Sequence, residues 1–254
     1  MRIPCLLTLS LIGCQTPTII STTWMERTTG SAAHFRGLHV IDDNTVWASG
    51  SAGTILLSKD GGSSFRICKV PGEEAGELRD IHGFDANHAV FLACQPARIY
   101  RTRNGGQSFE KLYESTNPKA FLDGIAFFDT SRGLAFGDAL GNRFQLLRTT
   151  DGGTTWQQIP DTALPEALPG EGGFAASGTC LTVNPDGRAW IVTGISGARV
   201  FRSSDFGQSW TTTTTPLPFL GTRAALALVH AFLFFHVLAF PVPSRTNWVN
   251  SCLP

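Results

Sequence analysis

Ser58-Lys59-Asp60-Gly61-Gly62-Ser63-Ser64-Phe65 decides the fold, because the chain repeats its pattern three more times. The other copies are Thr102-Arg103-Asn104-Gly105-Gly106-Gln107-Ser108-Phe109, Thr149-Thr150-Asp151-Gly152-Gly153-Thr154-Thr155-Trp156 and Ser203-Ser204-Asp205-Phe206-Gly207-Gln208-Ser209-Trp210. Their Asp or Asn residues (Asp60, Asn104, Asp151, Asp205) lie 44, 47 and 54 residues apart, a period that fits one four-stranded propeller blade. Each copy reads as a hairpin turn. The carboxylate or amide oxygen accepts from nearby backbone N–H groups, and the glycine two places on (Gly62, Gly106, Gly153, Gly207) can take a positive φ without a Cβ penalty. The aromatic residue that closes each copy (Phe65, Phe109, Trp156, Trp210) leads into the next strand and supplies a ring to bury between sheets.

The flanks repeat as well. Arg36 to Ile41, Thr45 to Gly50 and Gly53 to Ser58 read as strand, turn, strand, turn, strand, and Leu78 to Phe84, Ala89 to Ala93 and Arg98 to Thr102 repeat the order. Ile125 to Phe128, Gly133 to Gly137 and Phe144 to Thr149 form a third set, and Thr179 to Val183, Ala189 to Gly194 and Ala198 to Ser203 a fourth. Composition agrees, with 27 glycines, 14 prolines, 18 phenylalanines and only 16% charged residues in 254. That mixture favours short strands and tight turns over long helices.

These segments resemble Asp-box, or bacterial neuraminidase, repeats. Together with Phe35-Arg36-Gly37-Leu38 and the run Pro169 to Thr179, they make the chain similar to exported bacterial β-propellers of the photosystem II assembly and stability factor type, some of which are labelled only as oxidoreductases. The resemblance implies an all-β propeller of four-stranded blades. The family typically has seven blades; four are readable here from about residue 35 to 215 and four to five are expected, an incomplete ring. Thr22-Thr23-Trp24-Met25-Glu26-Arg27 resembles the end of a further turn plus the strand after it, the piece that closes the ring in such propellers. An open array would expose strand edges.

The ends have a different character. Met1 to Gly13 carries one basic residue and a short apolar run, the pattern of an export signal too short to span a bilayer. Leu11-Ile12-Gly13-Cys14 resembles a lipobox, which makes Cys14 the expected site of lipid attachment and a membrane the expected anchor. The expected domains are therefore a signal peptide over 1–13, a linker with the ring-closing strand over 14–34, the partial propeller over 35–218 and an apolar tail over 219–254. Within that tail Ala224 to Val242 runs nineteen residues without a formal charge, long enough for a membrane helix. His230, His236 and Pro241 argue against a span. A shifted reading of what was once another repeat, a true membrane helix and a buried core segment all remain open.

Chemistry is harder to read. Lys plus Arg and Asp plus Glu are both 20, so there is no field to hold a nucleic acid. Sialidase chemistry needs a tyrosine nucleophile with an acidic partner and an arginine cluster, but the only tyrosines, Tyr100 and Tyr113, flank a repeated turn in positions suited to packing. No GxGxxG enters a helix, no CxxC is present, and Gly170-Glu171-Gly172-Gly173 reads as a connection between blades. Neither a cofactor nor a metal is implied: Cys68 and Cys94 read as small buried residues, and His34 and His39 lack a third ligand. What remains is a polar funnel where the inner strands begin, lined by Arg36, Arg79, Asp80, Asp123, Asp138, Arg143, Glu171 and Ser177. The expected role is a noncatalytic scaffold for a protein or peptide client, the alternative a glycosidase or lyase using the same funnel.

Overall fold

In a computed structural model, residues 25–176, 178–194 and 197–215 are described, and they hold sixteen strands in four antiparallel sheets. Cys14, Ser177 and the tail 219–254 lie outside the described residues. The first blade is β1 (Phe35–Val40), β2 (Val46–Gly50), β3 (Thr54–Ser58) and β4 (Arg66–Lys69). The second is β5 (Leu78–Gly83), β6 (Ala89–Ala93), β7 (Arg98–Thr102) and β8 (Glu110–Glu114). The third is β9 (Leu122–Phe127), β10 (Gly133–Leu140), β11 (Arg143–Thr149) and β12 (Gln157–Gln158), and the fourth β13 (Leu181–Val183), β14 (Ala189–Val192), β15 (Arg199–Ser203) and β16 (Thr211–Thr214). Each sheet is a simple meander, and β1, β5, β9 and β13 pack in series as the inner strands. The architecture is an incomplete β-propeller. Met25 to Arg27, the described part of the expected ring-closing strand, joins no sheet, and Met25 is exposed.

The repeated turn folds as its chemistry dictates. In the first copy Asp60 Oδ1 accepts from the Ser58 hydroxyl and the Ser64 N–H, both at 2.8 Å, and Oδ2 accepts from the Ser64 hydroxyl at 2.6 Å. These donors hold the Asp60 carboxyl down at about 2. The Ser58 hydroxyl oxygen accepts from Gly62 N–H at 2.8 Å, and Thr102, Thr149 and Ser203 do the same for Gly106, Gly153 and Gly207. Those four glycines have φ between 77° and 83°, the region that disfavours any Cβ. Trp156 and Trp210 each donate the indole N–H to the carbonyl of the turn glycine, Gly153 or Gly207, at 3.0 Å.

Alternation along each strand sends successive side chains to opposite neighbours. On β6, Phe91 packs toward the first blade with Trp47, Ile55 and Leu57, while Val90 and Leu92 pack toward the third with Ile125, Phe127 and Trp156. Leu134, Phe136 and Phe144 then meet Leu181, Ile191 and Phe201 of the fourth blade. The core thus lies between blades, and each sheet depends on its neighbours for burial. Cys68, Cys94 and Cys180 are free thiols buried in these layers.

Candidate functional site

The starts of the inner strands are not plain ladder. On β1 Phe35 pairs with Gly50 and Gly37 with Ser49, leaving Arg36 extra. On β5 Leu78 pairs with Ala93 and Asp80 with Leu92, leaving Arg79 extra; on β9 the extra residue is Asp123, between Leu122 and Gly124. Three consecutive blades therefore carry a bulge at the same place, a device that re-aims one side chain at a sheet's rim. Arg36 and Arg79 both lie 3.8 Å from Glu77 Oε2, and the Arg79 guanidinium sits 5.6 Å from the centre of the Phe121 ring.

Beneath this rim are carboxyl groups that barely reach solvent. Asp80, 6% exposed, accepts from Ile81 N–H at 2.9 Å and, across the blade boundary, from Ile125 N–H at 2.7 Å. Burial nevertheless pushes its pKa up to about 7. Asp123 is 1% exposed and its Oδ2 has no hydrogen-bond partner; burial and the nearby Asp138 raise it well above the carboxylate range, against the pull of Arg79. Asp138 is extra in its own bulge, between Gly137 and Ala139, and accepts from Gly173 N–H at 2.8 Å; burial raises it too. Gly173 and Gly178 bring backbone directly onto these groups, since a Cβ at either would overlap Asp123 or Asp80 respectively.

Two of the funnel candidates belong elsewhere. Glu171, 5% exposed, is a structural clip between blades: it forms a bidentate pair with Arg199 at the start of β15, receives the Thr193 hydroxyl, and accepts Leu168 N–H at 2.8 Å. Arg143 sits at the outer hairpin between β10 and β11 and pairs with Asp161 at 3.1 Å, with both side chains substantially exposed. Sequence reasoning missed the partner of the Glu171 clip. Glu73, 1% exposed, pairs with Arg98 at the start of β7 at 2.8 Å and accepts the Tyr100 hydroxyl at 2.5 Å. The signal was present: Pro71-Gly72-Glu73 and Pro169-Gly170-Glu171 are the same tripeptide in two blade connections.

His39 accepts Gly83 N–H at 2.7 Å through Nδ1, and its ring lies 4.2 Å from that of His82, whose pKa burial pushes down to about 3. These imidazoles are packed, neutral rings. Among the described residues no group of three or more His, Cys, Asp or Glu is placed to hold a metal ion. The rim offers two guanidinium groups, that of Arg79 beside the Phe121 ring, with the partly exposed Glu77 carboxylate between them; Asp80 and Asp123 are held below the surface.

No family model matches the chain. It is 26% identical over 159 residues to the photosystem II assembly lipoprotein Ycf48 of Synechococcus sp. (strain CC9902), covering 60% of this chain and 46% of that protein. It is 29% identical over 169 residues to a xyloglucanase of Hypocrea jecorina (strain QM6a), covering 66% of this chain and 18% of that enzyme. This chain thus spans under half the length of either relative. The structure of the GH74 xyloglucanase from Xanthomonas campestris superposes with a TM-score of 0.53 at 13% identity, covering 72% of this chain and 31% of that one. With its four meander sheets, the chain is a β-propeller similar to proteins of the photosystem II assembly factor type.

Proposed function

We propose that this chain is a noncatalytic scaffold that holds a protein or peptide client at the rim formed by the starts of β1, β5 and β9. The observation that carries the reading is the shared bulge, which sets Arg36, Arg79 and Asp123 at one level of adjacent inner strands, the two arginines partly exposed and Asp123, like Asp80, buried. The guanidinium groups of Arg36 and of Arg79, the latter beside Phe121, can donate to the carbonyl oxygens or carboxylates of an extended peptide and stack against its side chains. The likeness to an assembly lipoprotein supports the same class of function. Export and a lipid anchor at Cys14 complete the proposal; a Cys14→Ala chain would then move from the membrane to the soluble fraction.

Panning a library of displayed extended peptides on the wild type and on Arg36→Ala/Arg79→Ala tests the site. Enrichment that vanishes in the variant, with the urea midpoint unchanged, supports it, and equal enrichment on both proteins refutes it. The alternative, a glycosidase, is favoured by the likeness to a xyloglucanase. It requires two carboxyl groups flanking a glycosidic bond, and Asp123 at this rim is 1% exposed. Hydrolysis of xyloglucan by the purified chain, lost in a folded Asp123→Ala variant, would establish that alternative in place of the scaffold.

A further inference from the structure

Two buried polar atoms at the rim lack a hydrogen-bond partner, and they are complementary: Arg79 Nε is a donor and Asp123 Oδ2 an acceptor. Each belongs to the extra residue of a bulge, on the inner strands β5 and β9, which lie close enough for Asp80 of one to accept Ile125 N–H of the other at 2.7 Å. Orphans of this kind call for an explanation. Arg79 has an anionic group on either side. Outward, Glu77 Oε2 stands 3.8 Å from Nε, too far for a hydrogen bond, and the Phe121 ring centre lies 5.6 Å from the guanidinium. Inward is Asp123, near enough for the arginine's charge to act on its carboxyl. The Arg79 side chain is 26% exposed, so its tip is not locked into the core.

Asp123 has a physical reason to keep its proton. Its Oδ2 packs on Gly173, where a Cβ would stand 2.4 Å away, and the N–H of that same glycine donates to Asp138 at 2.8 Å. Two carboxyl groups therefore meet at one residue, and burial and then the Asp138 charge disfavour ionisation of Asp123. The other titratable groups around them are Asp80, held by Ile81 and Ile125 N–H, and the buried Cys180 thiol; Glu77 and Cys94 of the second blade face Arg79. We infer that Arg79 is a two-position arm set by one proton, outward beside Glu77 and Phe121 while Asp123 is protonated and drawn inward onto Asp123 when that proton leaves. The ionised Oδ2 then takes the unspent Nε–H of the neighbouring strand, and the rim keeps Arg36 alone. The effect on a client rests on the rim being its site, as proposed above. The form that binds carries one more proton, so affinity is full while Asp123 is protonated and falls as pH rises through its titration; by linkage, a bound client tightens the hold on that proton.

The test takes the peptide most enriched on the wild type in the panning above and measures its affinity from about pH 5 to about pH 9, together with the Arg79 Nε–H resonance of the free full chain by NMR. A fall of at least about tenfold toward high pH is expected, the loss of one charge-assisted hydrogen bond, with the Arg79 resonance shifting through the same titration. Asp123→Asn, whose amide stands in for the protonated acid, removes both changes, while Asp80→Asn retains both and so separates Asp123 from its neighbour. Asp138→Asn, which removes the opposing charge, moves both changes to lower pH and serves where Asp123→Asn does not fold; a titration that it leaves in place overturns the inference. An affinity that depends on the rim arginines but is flat with pH, or falls equally in Asp123→Asn, also overturns it and leaves the scaffold standing. If no peptide is enriched, the scaffold fails and the resonance alone decides: a shift abolished by Asp123→Asn supports the arm, and a resonance that does not move, or moves equally in the variant, overturns it.

Discussion

Removing the Glu171 carboxylate should cost more stability than any other single change at a blade connection. The group receives four donors: Arg199 Nε at 2.9 Å, Arg199 Nη2, the Thr193 hydroxyl and Leu168 N–H at 2.8 Å. Its side chain is fully buried and that of Arg199 is 9% exposed. Glu171→Ala therefore strands a guanidinium in the interior with one remaining acceptor, the Glu166 carbonyl at 2.7 Å. Breaking one side of such a pair costs about 3–5 kcal/mol, whereas replacing both partners with apolar groups of similar size is close to neutral. Glu171→Leu/Arg199→Met should accordingly recover most of the loss. Arg143→Ala is the internal control. Its pair with Asp161 is 42% and 54% exposed, so its removal should change stability by no more than about 0.5 kcal/mol. Urea unfolding followed by tryptophan fluorescence reads all three, with Trp190 and Trp210 reporting the fourth blade. Because blades of a repeat array can unfold separately, the slope of the transition is compared as well as its midpoint. A Glu171→Ala loss below about 1 kcal/mol, or a double variant no better than the single, would refute the clip as a buried, mutually dependent pair.

The buried acids predict a pH response of definite sign. Asp80 titrates at about 7 in the fold and near 3.9 when unfolded, so the native state binds the extra proton and stability falls as pH rises from about 4 to about 7, by on the order of 4 kcal/mol from this group; Asp80→Asn should flatten that slope in melts taken across the window, and an unchanged slope would show that Asp80 is not its source. Phe206 holds φ 60° where the other three turns have glycine, with Arg132 stacked 3.5 Å from its ring centre. Phe206→Gly relieves about 1 kcal/mol of backbone strain but gives up about 2–3 kcal/mol of ring burial and cation–π contact, so a net loss near 1–2 kcal/mol is expected and a stabilised variant would contradict it. Gly178→Ala meets both φ 69° and the Asp80 carboxyl, and should destabilise by at least about 2 kcal/mol in chemical denaturation, while Gly72→Ala, also at positive φ but with open space around it, should cost only about 1.

What the sequence made legible, and what it did not, follows from how local each determinant is. The repeated turn is self-contained: Asp60 is satisfied by residues two and four positions away, so four copies of an octapeptide suffice to place four hairpins and hence four sheets. Its opening hydroxyl, Ser58 or Thr149, is equally local and holds the glycine N–H in every copy. The rim was half legible. Arg36, Arg79 and Asp123 could be named as residues at the starts of inner strands, but their equivalence rests on a bulge, and a bulge is a mismatch between two strands that no single strand's pattern displays. The clips were least legible, because Glu73 and Arg98 are 25 residues apart and Glu171 and Arg199 are 28, and their meeting depends on the path of a whole connection. In the remaining described connection, 115–121, no acidic residue is available. The register position of Arg98 and Arg199, four residues before the first residue of the repeated turn, is held in the third blade by Gln145; Arg143 lies two residues earlier on the longer β11, opposite Leu140, and pairs outward with Asp161. The third blade thus lacks both halves of the clip, the arginine at that position on its third strand and the glutamate in the loop before it. An acidic or basic residue near a propeller's rim therefore says little about binding until its connection has been examined for a partner, which is why the functional proposal rests on the bulged arginines and leaves Glu171 aside.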